Sequence, residues 1–358
     1  MKILDWYILK RYLFTFAMML LLFIPIGITV HLAEKIGKIL EQDVPLNEVL
    51  WYLLDFTIYF AHLLFPLFLF LSVIWFTSKL ANNTEIIAFL SSGVSFTRFL
   101  RPYLIGALIV AILAIFLGLF LAPQASQGFN DFSFKYFKKG RSPVVKNNVF
   151  KQINDNEIVY VSSFDDKNNI GYNFTLEHFD GNELKYKISA STIKYVEADT
   201  TYKLTNYFKR NIGEREDKLE IIRSKDTLFA FQVNDLIPEE YAAETKTYGD
   251  LKRFIEKEKA SGSPNVGRFQ LVLYRKWSLP ASVFILTIIA VAVSSMKRRG
   301  GMGVNLAVGI CIAMVFVFFD KIFGVMAEQS DFSPLVAVWF PNVLFGILAA
   351  YLLYNAKR

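Results

Sequence analysis

Cysteine and histidine are scarce in this sequence of 358 residues, which has one cysteine and three histidines. The single cysteine, Cys311, excludes an intrachain disulfide and any cysteine-based metal cluster. The histidines, His31, His62 and His178, lie in separate segments without metal-ligand spacing, so we expect no metal site. The sequence also lacks a phosphate-binding Gly-x-x-x-x-Gly-Lys-Ser/Thr loop, so we expect no nucleotide hydrolysis by this chain. It lacks a Gly-x-Ser-x-Gly nucleophile elbow as well, and we expect no catalytic residues.

Hydrophobic residues are abundant instead: they make up 54% of the chain and include 35 phenylalanines. Such a composition is too apolar for a soluble protein of this length. The charged residues are segregated, because the stretch from Pro123 to Lys276 holds 25 of the 39 Lys+Arg and 22 of the 32 Asp+Glu. The net charge of +7 is spread over this polar middle and short loops, and it forms no basic stripe that would bind nucleic acid.

Six apolar runs are each about 20 residues long or more, which is enough for a helix to cross roughly 30 Å of hydrocarbon. These runs, called spans 1 to 6, are Tyr12–Leu32, Trp51–Ser78, Tyr103–Ala122, Trp277–Met296, Val304–Val325 and Pro334–Tyr354. They predict an α-helical membrane protein with three spans on each side of an external domain, divided as residues 1–122, 123–265 and 266–358. Span 1 has no small-residue cleavage site and continues in a helical pattern past His31, so we expect it to be retained.

Loop charges predict the orientation, because short loops rich in Lys and Arg stay in the cytoplasm. Cations mark both termini, the loop after span 2 and the turn after span 4: Lys2, Lys10, Arg11, Lys79, Arg98, Arg101, Lys297, Arg298, Arg299, Lys357 and Arg358. The alternate loops are poor in cations, since residues 34–48 hold two lysines against four acids and the turn around Glu328 and Asp331 has none. We therefore expect both termini in the cytoplasm and the middle domain on the other side of the membrane.

The middle domain has the alternation of polar and apolar residues that is typical of β-strands. Seven runs show it: Glu157–Val161, Tyr172–Leu176, Lys185–Ala190 and residues 193–197, 202–208, 219–223 and 227–233. Asp180-Gly181 between two of these runs predicts a tight hairpin. Such a set of short strands predicts an antiparallel sandwich or an open jelly roll. Thr247–Ile255 then predicts a capped amphipathic helix, and residues 261–264 a linker.

The loop after span 2 has the pattern of a short amphipathic helix. Asn83 or Thr84 can cap this helix, and Gly93 can end it. An acid opens it, and apolar residues follow at Ile86, Ile87, Phe89 and Leu90. A helix of this kind lies on a membrane surface or fits a groove of a cytoplasmic partner, and the residues alone do not decide between the two.

Ionisable residues inside the spans have two interpretations, because a charge at membrane depth is costly and usually faces protein or water. Asp55 and His62 lie seven residues apart in span 2, on one helix face, and Asp320 precedes Lys321 in span 5. These residues form a proton or ion relay, as in a secondary transporter, or they are structural. We favour the second interpretation, in which Asp55 lies near the headgroups and Asp320 pairs locally.

Four stretches resemble those of the lipopolysaccharide-export permease family, the membrane subunits of an ABC exporter. Residues 83–95 resemble its coupling-helix region, and Leu4–Tyr12 is similar to its amphipathic N-terminal segment. Pro334–Asn342 is similar to its Pro-x-x-Ala-x-Trp-x-Pro-Asn opening of helix 6. The family's Arg-Lys-x-x-x-Pro start of helix 4 is matched by Arg275, Lys276 and Pro280.

The resemblance implies the fold and the function. It implies six transmembrane helices with a periplasmic, jelly-roll-like β-domain inserted between helices 3 and 4, in a multi-pass protein of the cell inner membrane. It implies a permease that extracts lipopolysaccharide and passes it to a periplasmic bridge protein toward the outer membrane. The partners would be a second permease of the family and a cytoplasmic ATPase dimer, which binds the ATP, so that this chain needs no cofactor.

The resemblance also implies which residues act. In the family the ATPase docks on coupling helices, and its closure squeezes a lipid-filled cavity between helices 1 and 5 of the facing subunits. The residues that would contact the ATPase are Glu85, Ile86, Phe89, Leu90 and Gly93. Lys35 and Lys38 loosely match the family's cations for the lipid phosphates, since ammonium groups at headgroup level attract anions. Ordinary snorkelling of these lysines to the interface is the alternative.

Two functions of other classes stay open. A proton-coupled secondary transporter would use Asp55, His62 and Asp320 and would need no ATPase. A receptor or scaffold would bind a partner through the β-domain and would not depend on ATP. The absence of inverted repeats argues against the first, and the coupling-type helix argues against the second.

The loop charges predict that residue 200 lies outside the cytoplasm and residue 299 lies inside it. In a Cys311→Ser background, Thr200→Cys should react with a membrane-impermeant maleimide added to the outer side of an intact inner membrane, whereas Arg299→Cys should react only after permeabilisation. The reverse labelling pattern would overturn the orientation and every assignment of sides that depends on it.

Overall fold

The computed structural model describes residues 3–137, 149–165, 170–196, 201–213, 216–229, 231, 242–260, 262–263, 265–296, 301–330 and 332–356. The chain forms two compact units. The membrane unit comprises Met1–Phe132, Ala243–Leu251 and Gly267–Arg358, and the β unit comprises Ser133–Ala242 and Lys252–Val266. Several positions used in the sequence predictions lie outside the described residues: Lys2, Thr200, Ser261, Pro264, Lys297, Arg298, Arg299, Asp331, Lys357 and Arg358.

The described residues include six helices long and apolar enough to cross a membrane, which confirms the six predicted spans. The helices in chain order are α1 (Ile3–Glu41), α2 (Leu46–Asn82), α3 (Glu85–Ser91), α4 (Phe96–Phe116), α5 (Ala122–Phe132), α6 (Ala242–Thr245), α7 (Tyr248–Ala260), α8 (Val266–Ser294), α9 (Gly301–Gln329) and α10 (Pro334–Ala356). Spans 1, 2, 4, 5 and 6 are α1, α2, α8, α9 and α10. Span 3 is one continuous helix, Phe96–Phe137, in which π-helical turns follow α4 and α5.

Two helices extend beyond the limits suggested by hydropathy. Span 3 continues to Phe137, past the predicted domain boundary at residue 122. The π turn Leu117–Leu121 ends two residues before Pro123 and accommodates a residue that has no amide hydrogen to donate. Helix α8 starts at Val266, so Arg275 lies more than two turns inside it rather than at its start. The first turns of α8 contain Arg268, Gln270, Arg275 and Lys276, so the apolar run begins only after them.

The interior of the membrane unit is held by aromatic rings whose hydroxyl groups find partners in other helices. Tyr12 of α1 and Tyr103 of α4 are buried and meet edge to face, with 6.0 Å between ring centroids. The hydroxyl of Tyr12 lies 3.3 Å from that of Thr287 in α8, and Thr77 of α2 donates a hydrogen bond to Tyr103 at 3.0 Å. A Cβ atom on Gly106 of α4 would lie 2.7 Å from the Tyr12 ring, so the glycine lets α1 approach α4 closely.

The loop after span 2 contains the predicted short helix, α3, but its cap differs from the prediction. Thr84 precedes α3 in the left-handed conformation, with φ of 60°. Its hydroxyl donates to the carbonyl of Asn83 at 2.6 Å and therefore does not cap an amide of α3. Gly93, with φ of 84°, follows α3 as predicted, because a glycine adopts this conformation without steric cost.

The β unit contains one antiparallel sheet of seven described strands. They are β1 (Val149–Asn154), β2 (Glu157–Val161), β3 (Ser163–Asp165), β4 (Ile170–Asp180), β5 (Glu183–Val196), β6 (Thr201–Asn211) and β7 (Lys218–Thr227). Their order is β1-β2-β4-β5-β6-β7, with β3 paired to β4. The β region predicted between spans 3 and 4 is thus confirmed, and its external position and jelly-roll-like arrangement stay predictions.

Most of the predicted strands form, although two of them merge. Strand β5 joins the runs 185–190 and 193–197, apart from residue 197, which lies outside the described residues. The predicted hairpin at Asp180-Gly181 is confirmed by the pairing of Asp180 with Glu183 and by a φ of 62° at Gly181. Of the described residues in the run 227–233, only Thr227 is in a strand, because β7 ends there. Strands β1 and β3 were not predicted, since β1 lacks clean alternation and β3 is short.

One face of the sheet carries the core of the β unit. Val159 of β2, Phe174 of β4 and Leu204 of β6 are buried in one hydrophobic cluster. Phe231 packs over them, and its carbonyl oxygen accepts a hydrogen bond from the buried Tyr202 hydroxyl at 2.9 Å.

Helix α7 confirms the amphipathic helix predicted after the strands. The Thr247 hydroxyl, directly before α7, donates to the Asp250 carboxylate at 2.6 Å, and the carbonyl of Thr247 accepts from the amide of Leu251 at 2.8 Å. This threonine therefore starts the helix much as a capping residue does.

Candidate functional site

Glu85 connects α3 with the N-terminal end of α1. Its Oε2 accepts a hydrogen bond from the hydroxyl of Tyr7 at 3.2 Å, and its Oε1 accepts one from the side-chain amide of Asn83, also at 3.2 Å. The carboxylate is half-buried. Because Tyr7 lies in the second turn of α1, this bond links the first residue of α3 to the beginning of span 1.

An ion pair makes a second connection on the other side of α3. Arg98, in the first turn of α4, donates from Nη2 to Oδ2 of Asp5 at 2.7 Å, and Asp5 is only 6% exposed. Ser95 fixes the same turn by accepting a hydrogen bond from the amide of Arg98 at 3.3 Å. Helix α3 is thus flanked by two contacts to α1. We call these two contacts, Tyr7 with Glu85 and Asp5 with Arg98, the α3 clamp.

The predicted ATPase-contact residues are divided between two faces of α3. Ile86 is 1% exposed and packs into the core of its own membrane unit, and Phe89 lies beside Phe99 of α4, with 6.2 Å between ring centroids. Ile86 therefore anchors α3 and is not available to a partner, contrary to the prediction. Leu90 is exposed, and so is Ile87, at 55%, which the resemblance did not single out. Gly93 is exposed just beyond the helix.

A cavity of about 300 Å³ lies between α2, the span 3 helix, α8 and α9 in the membrane unit. Most of its wall is apolar, and its ionisable side chains are His62, Glu244, Arg275, Lys276, Asp320 and Lys321. Two of the residues considered for an ion relay, His62 and Asp320, thus meet Arg275 and Lys276 in one cavity, whereas Asp55 and Pro280 do not line it. Burial raises the pKa of the Glu244 carboxyl, while Arg268 and Arg275 act in the opposite direction.

Asp320 pairs with Arg275 of α8, across the helix interface. The guanidinium Nη2 lies 3.3 Å from Oδ2 of Asp320, and about a third of each side chain is exposed. Gly324, one turn further along α9, makes room for this guanidinium, because a Cβ atom there would lie 2.7 Å from Nη2. The predicted local pairing of Asp320 is therefore wrong: the neighbouring Lys321 points about 100° away around the helix, whereas Arg275 faces the carboxylate.

Lys276 is held by the π turn of span 3. Its Nζ donates to the carbonyl oxygen of Gly118 at 2.8 Å. A π turn shifts the backbone hydrogen bonds by one residue and leaves a carbonyl group accessible to such a donor. The same glycine allows His62 to approach, since a Cβ atom on Gly118 would lie 3.0 Å from the imidazole Cε1. Within the described part of the chain, the buried Nδ1 of His62 has no hydrogen-bond partner.

The opening of span 6 is joined to α8 by a buried hydrogen bond. Ser282 and Asn342 are each 4% exposed, and the serine hydroxyl donates to Oδ1 of the asparagine at 2.7 Å. Pro280 is buried in the same part of α8. Helix α10 starts at Pro334, as the resemblance implied. The asparagine of that motif thus has a structural role between two spans.

The two lysines near the far end of α1 lie apart from this cavity. Lys35 is half-buried and Lys38 is exposed, and one helical turn separates them. His31, one turn before Lys35, stacks on Phe56 with 4.1 Å between ring centroids. Asp55 of α2 is half-buried. The structure therefore brings together His62, Arg275, Lys276 and Asp320, but neither Asp55 nor the two lysines.

Comparison with known proteins decides the family. The model of the family described as "Lipopolysaccharide export system permease LptF/LptG" matches residues 6–355. The chain belongs to this family. The permease is 21% identical over 300 residues to the lipopolysaccharide export system permease protein LptG of Escherichia coli strain K12, covering 82% of this chain and 81% of that protein. It is 22% identical over 316 residues to LptG of Haemophilus influenzae strain Rd, covering 82% of each.

The family membership confirms the resemblance inferred from the motifs. The permease is a multi-pass inner-membrane protein of lipopolysaccharide export, and it is a transport subunit rather than an enzyme. Its Arg-Lys-x-x-x-Pro pattern lies on the wall of the cavity through Arg275 and Lys276.

Several residues of these sites were not found from the sequence. Asp5 and Tyr7 lie in the N-terminal segment that resembles the family, but their partners are 93 and 78 residues away in the chain. A pattern of neighbouring residues in the sequence cannot predict a contact between such distant positions. Gly118 could not be found either, because its carbonyl group, and not a side chain, binds Lys276.

The Arg275–Asp320 contact predicts a measurable coupling between α8 and α9. Exposed ion pairs contribute about 0.2–1 kcal/mol, and breaking a buried pair costs about 3–5 kcal/mol. For this partly exposed pair we expect an interaction energy of about 1–2 kcal/mol. A double-mutant cycle with Arg275→Gln and Asp320→Asn, measured by SDS-induced unfolding in mixed micelles, determines it. Lys321→Gln in place of Asp320→Asn is the control and should show no coupling; equal coupling for both would contradict the assignment.

Proposed function

We propose that the permease is one subunit of an exporter that extracts lipopolysaccharide from the inner membrane and passes it to a periplasmic bridge protein. A second permease of the family completes the lipid pathway, and a separate cytoplasmic ATPase dimer hydrolyses the ATP. The observation that carries this proposal is the α3 clamp. A short helix with outward apolar side chains is joined at both flanks to a long membrane helix, which suits a docking element that transmits force.

The orientation follows from the loop charges. The α3 end of the membrane unit faces the cytoplasm, where the ATPase is, and the β unit faces the periplasm. Six spans return the chain to its starting side, which agrees with cations at both termini. Glu85, Ile87, Leu90 and Gly93 then form the surface that seats in a groove of the ATPase.

The α3 clamp connects the proposed ATPase-docking surface to the residues proposed to hold the lipid. Helix α1 is continuous from Ile3 to Glu41, so a displacement at Asp5 is carried along a single helix of 39 residues. Its far end carries Lys35 and Lys38. These lysines would hold the phosphates of lipopolysaccharide at headgroup level on the periplasmic side. Movement of α3 on ATPase closure would therefore move the segment that holds the lipid.

A proton-coupled transporter is less well supported by the same geometry. A relay needs its ionisable groups within reach of one another, directly or through water. Asp55 lies outside the cavity that contains His62 and Asp320, and Asp320 is already paired with Arg275. The His62 cavity is thus a polar junction between spans in this account, and ATP hydrolysis by the partner supplies the energy.

Glu85 should be needed for docking and for transport. We predict that Glu85→Lys lowers both the ATPase that co-purifies and the lipid released per ATP by the reconstituted complex, since it places a cation where a carboxylate is expected to meet the ATPase. If the carboxylate meets a cation of the ATPase, truncation by Glu85→Ala should cost about 2–5 kcal/mol of binding.

Two matched variants separate the roles of Glu85. Tyr7→Phe removes only the internal hydrogen bond, so it should keep ATPase recovery and lower the lipid released per ATP. Asp43→Lys changes an exposed acid after the far end of α1 and should lower neither. Normal ATPase recovery and full transport with Glu85→Lys would remove this residue from the mechanism.

Lys35 and Lys38 should set the affinity for the anionic lipid. Replacing both by Glu puts negative charge beside the phosphates and should weaken photocrosslinking of lipopolysaccharide, while the complex with the ATPase still assembles. The measurement is crosslinked lipid per purified complex, with Lys35→Arg/Lys38→Arg as the charge-conserving control. Unchanged crosslinking in the Glu variant would show that these lysines only snorkel to the interface.

A further inference from the structure

A second cavity, of about 320 Å³, lies at the N-terminal end of α1, against the last turns of α2. It shares no lining residue with the His62 cavity. Its apolar wall is formed by Phe14, Met18, Trp75, Phe76 and Leu80. Phe14 is 59% exposed, Met18 47% and Trp75 40%, so this wall continues onto the outer surface of the membrane unit.

The other residues that line this cavity are polar, and they carry more positive than negative charge. Arg11 and Lys79 line it, and Glu85 is the single acid among the lining residues. Both carboxylate oxygens of Glu85 already accept hydrogen bonds within the protein. Across the described residues, neither Arg11 nor Lys79 forms a salt bridge. Arg11 is positioned over the ring of Tyr7, with 5.7 Å from the guanidinium carbon to the ring centroid.

We propose that this cavity binds one anionic phospholipid from the leaflet at the N-terminal end of α1. The lipid phosphate is held by Arg11 and Lys79, and an acyl chain lies along Phe14, Met18 and Trp75. Two cations without ion-pair partners above an apolar wall match a molecule with an anionic head and an apolar tail. Trp75 lines the cavity one helical turn before Lys79, and a tryptophan side chain is favoured where polar and apolar surroundings meet.

The phospholipid is distinct from the transported lipid. Lys35 and Lys38, proposed to hold the substrate, lie at the other end of the same helix, so the two sites belong to opposite leaflets. The phospholipid site adjoins the α3 clamp, because Tyr7 and Glu85 line the cavity. The inference stands on this cavity alone and does not require the exporter function.

Site-specific photocrosslinking tests the proposal in the assembled complex. A photoreactive benzoylphenylalanine replaces Met18, and the complex is reconstituted in vesicles of equal phosphatidylglycerol and phosphatidylcholine with identical acyl chains. Mass spectrometry measures the ratio of the two crosslinked lipids. We expect phosphatidylglycerol to be favoured on the order of tenfold, because each cation near the surface contributes to binding an anionic lipid. Adding inorganic phosphate at millimolar concentration should not lower this preference.

Charge variants identify the source of the preference. Arg11→Gln combined with Lys79→Gln should bring the ratio close to one, while total lipid crosslinking stays at the unmodified level and shows that the fold is retained. Lys10→Gln is the matched control, because Lys10 is adjacent, exposed and absent from the cavity wall, and it should leave the preference unchanged. Four outcomes would each overturn the proposal. The preference for phosphatidylglycerol could be unchanged in the double variant, or be lost equally with Lys10→Gln. Free phosphate could compete for the site, or the photoreactive residue at position 18 could crosslink to a partner protein instead of lipid.

Discussion

Burial of the Asp5 carboxylate is the constraint from which the arrangement at the α3 end of the membrane unit follows. A carboxylate that is largely removed from water requires a charged partner and hydrogen bonds. Arg98 supplies both at 2.7 Å, and it fixes the first turn of α4 against the first turn of α1. Helix α3 lies between these two fixed points. Its buried Ile86 and the Tyr7–Glu85 hydrogen bond then leave Ile87 and Leu90 facing outward.

The same rule organises the rest of the membrane unit, because polar groups in a hydrocarbon environment must be satisfied inside the protein. Helix α8 shares a specific polar contact with each of three other spans. Arg275 meets Asp320, Lys276 meets the carbonyl of Gly118, and Ser282 meets Asn342. Glycines beside these contacts allow the helices to approach. The family motif on α8 and the asparagine of the α10 motif are thus contacts between spans as well as sequence markers.

Much of the fold could be predicted from the sequence, because it depends on patterns that act locally. Apolar runs predicted all six spans, and alternation predicted most strands, including the hairpin at Gly181. The candidate site could be predicted only in part. The loop pattern located α3 and Glu85, but it could not show that Ile86 faces inward, since its apolar residues can face either side of so short a helix. The partners of Asp5, Tyr7 and Asp320 depend on how distant segments pack, and a single sequence carries no record of that.

We propose that the α3 clamp transmits ATPase docking to α1, and a charge exchange between Asp5 and Arg98 provides a direct test. The measurement is lipopolysaccharide released per ATP hydrolysed by the reconstituted complex. The account predicts a lower ratio for Asp5→Arg and for Arg98→Asp alone, with ATPase recovery retained, and substantial restoration when both changes are combined and the ion pair forms in reverse. A wild-type ratio in both single variants, or a double variant as defective as the single ones, would contradict it.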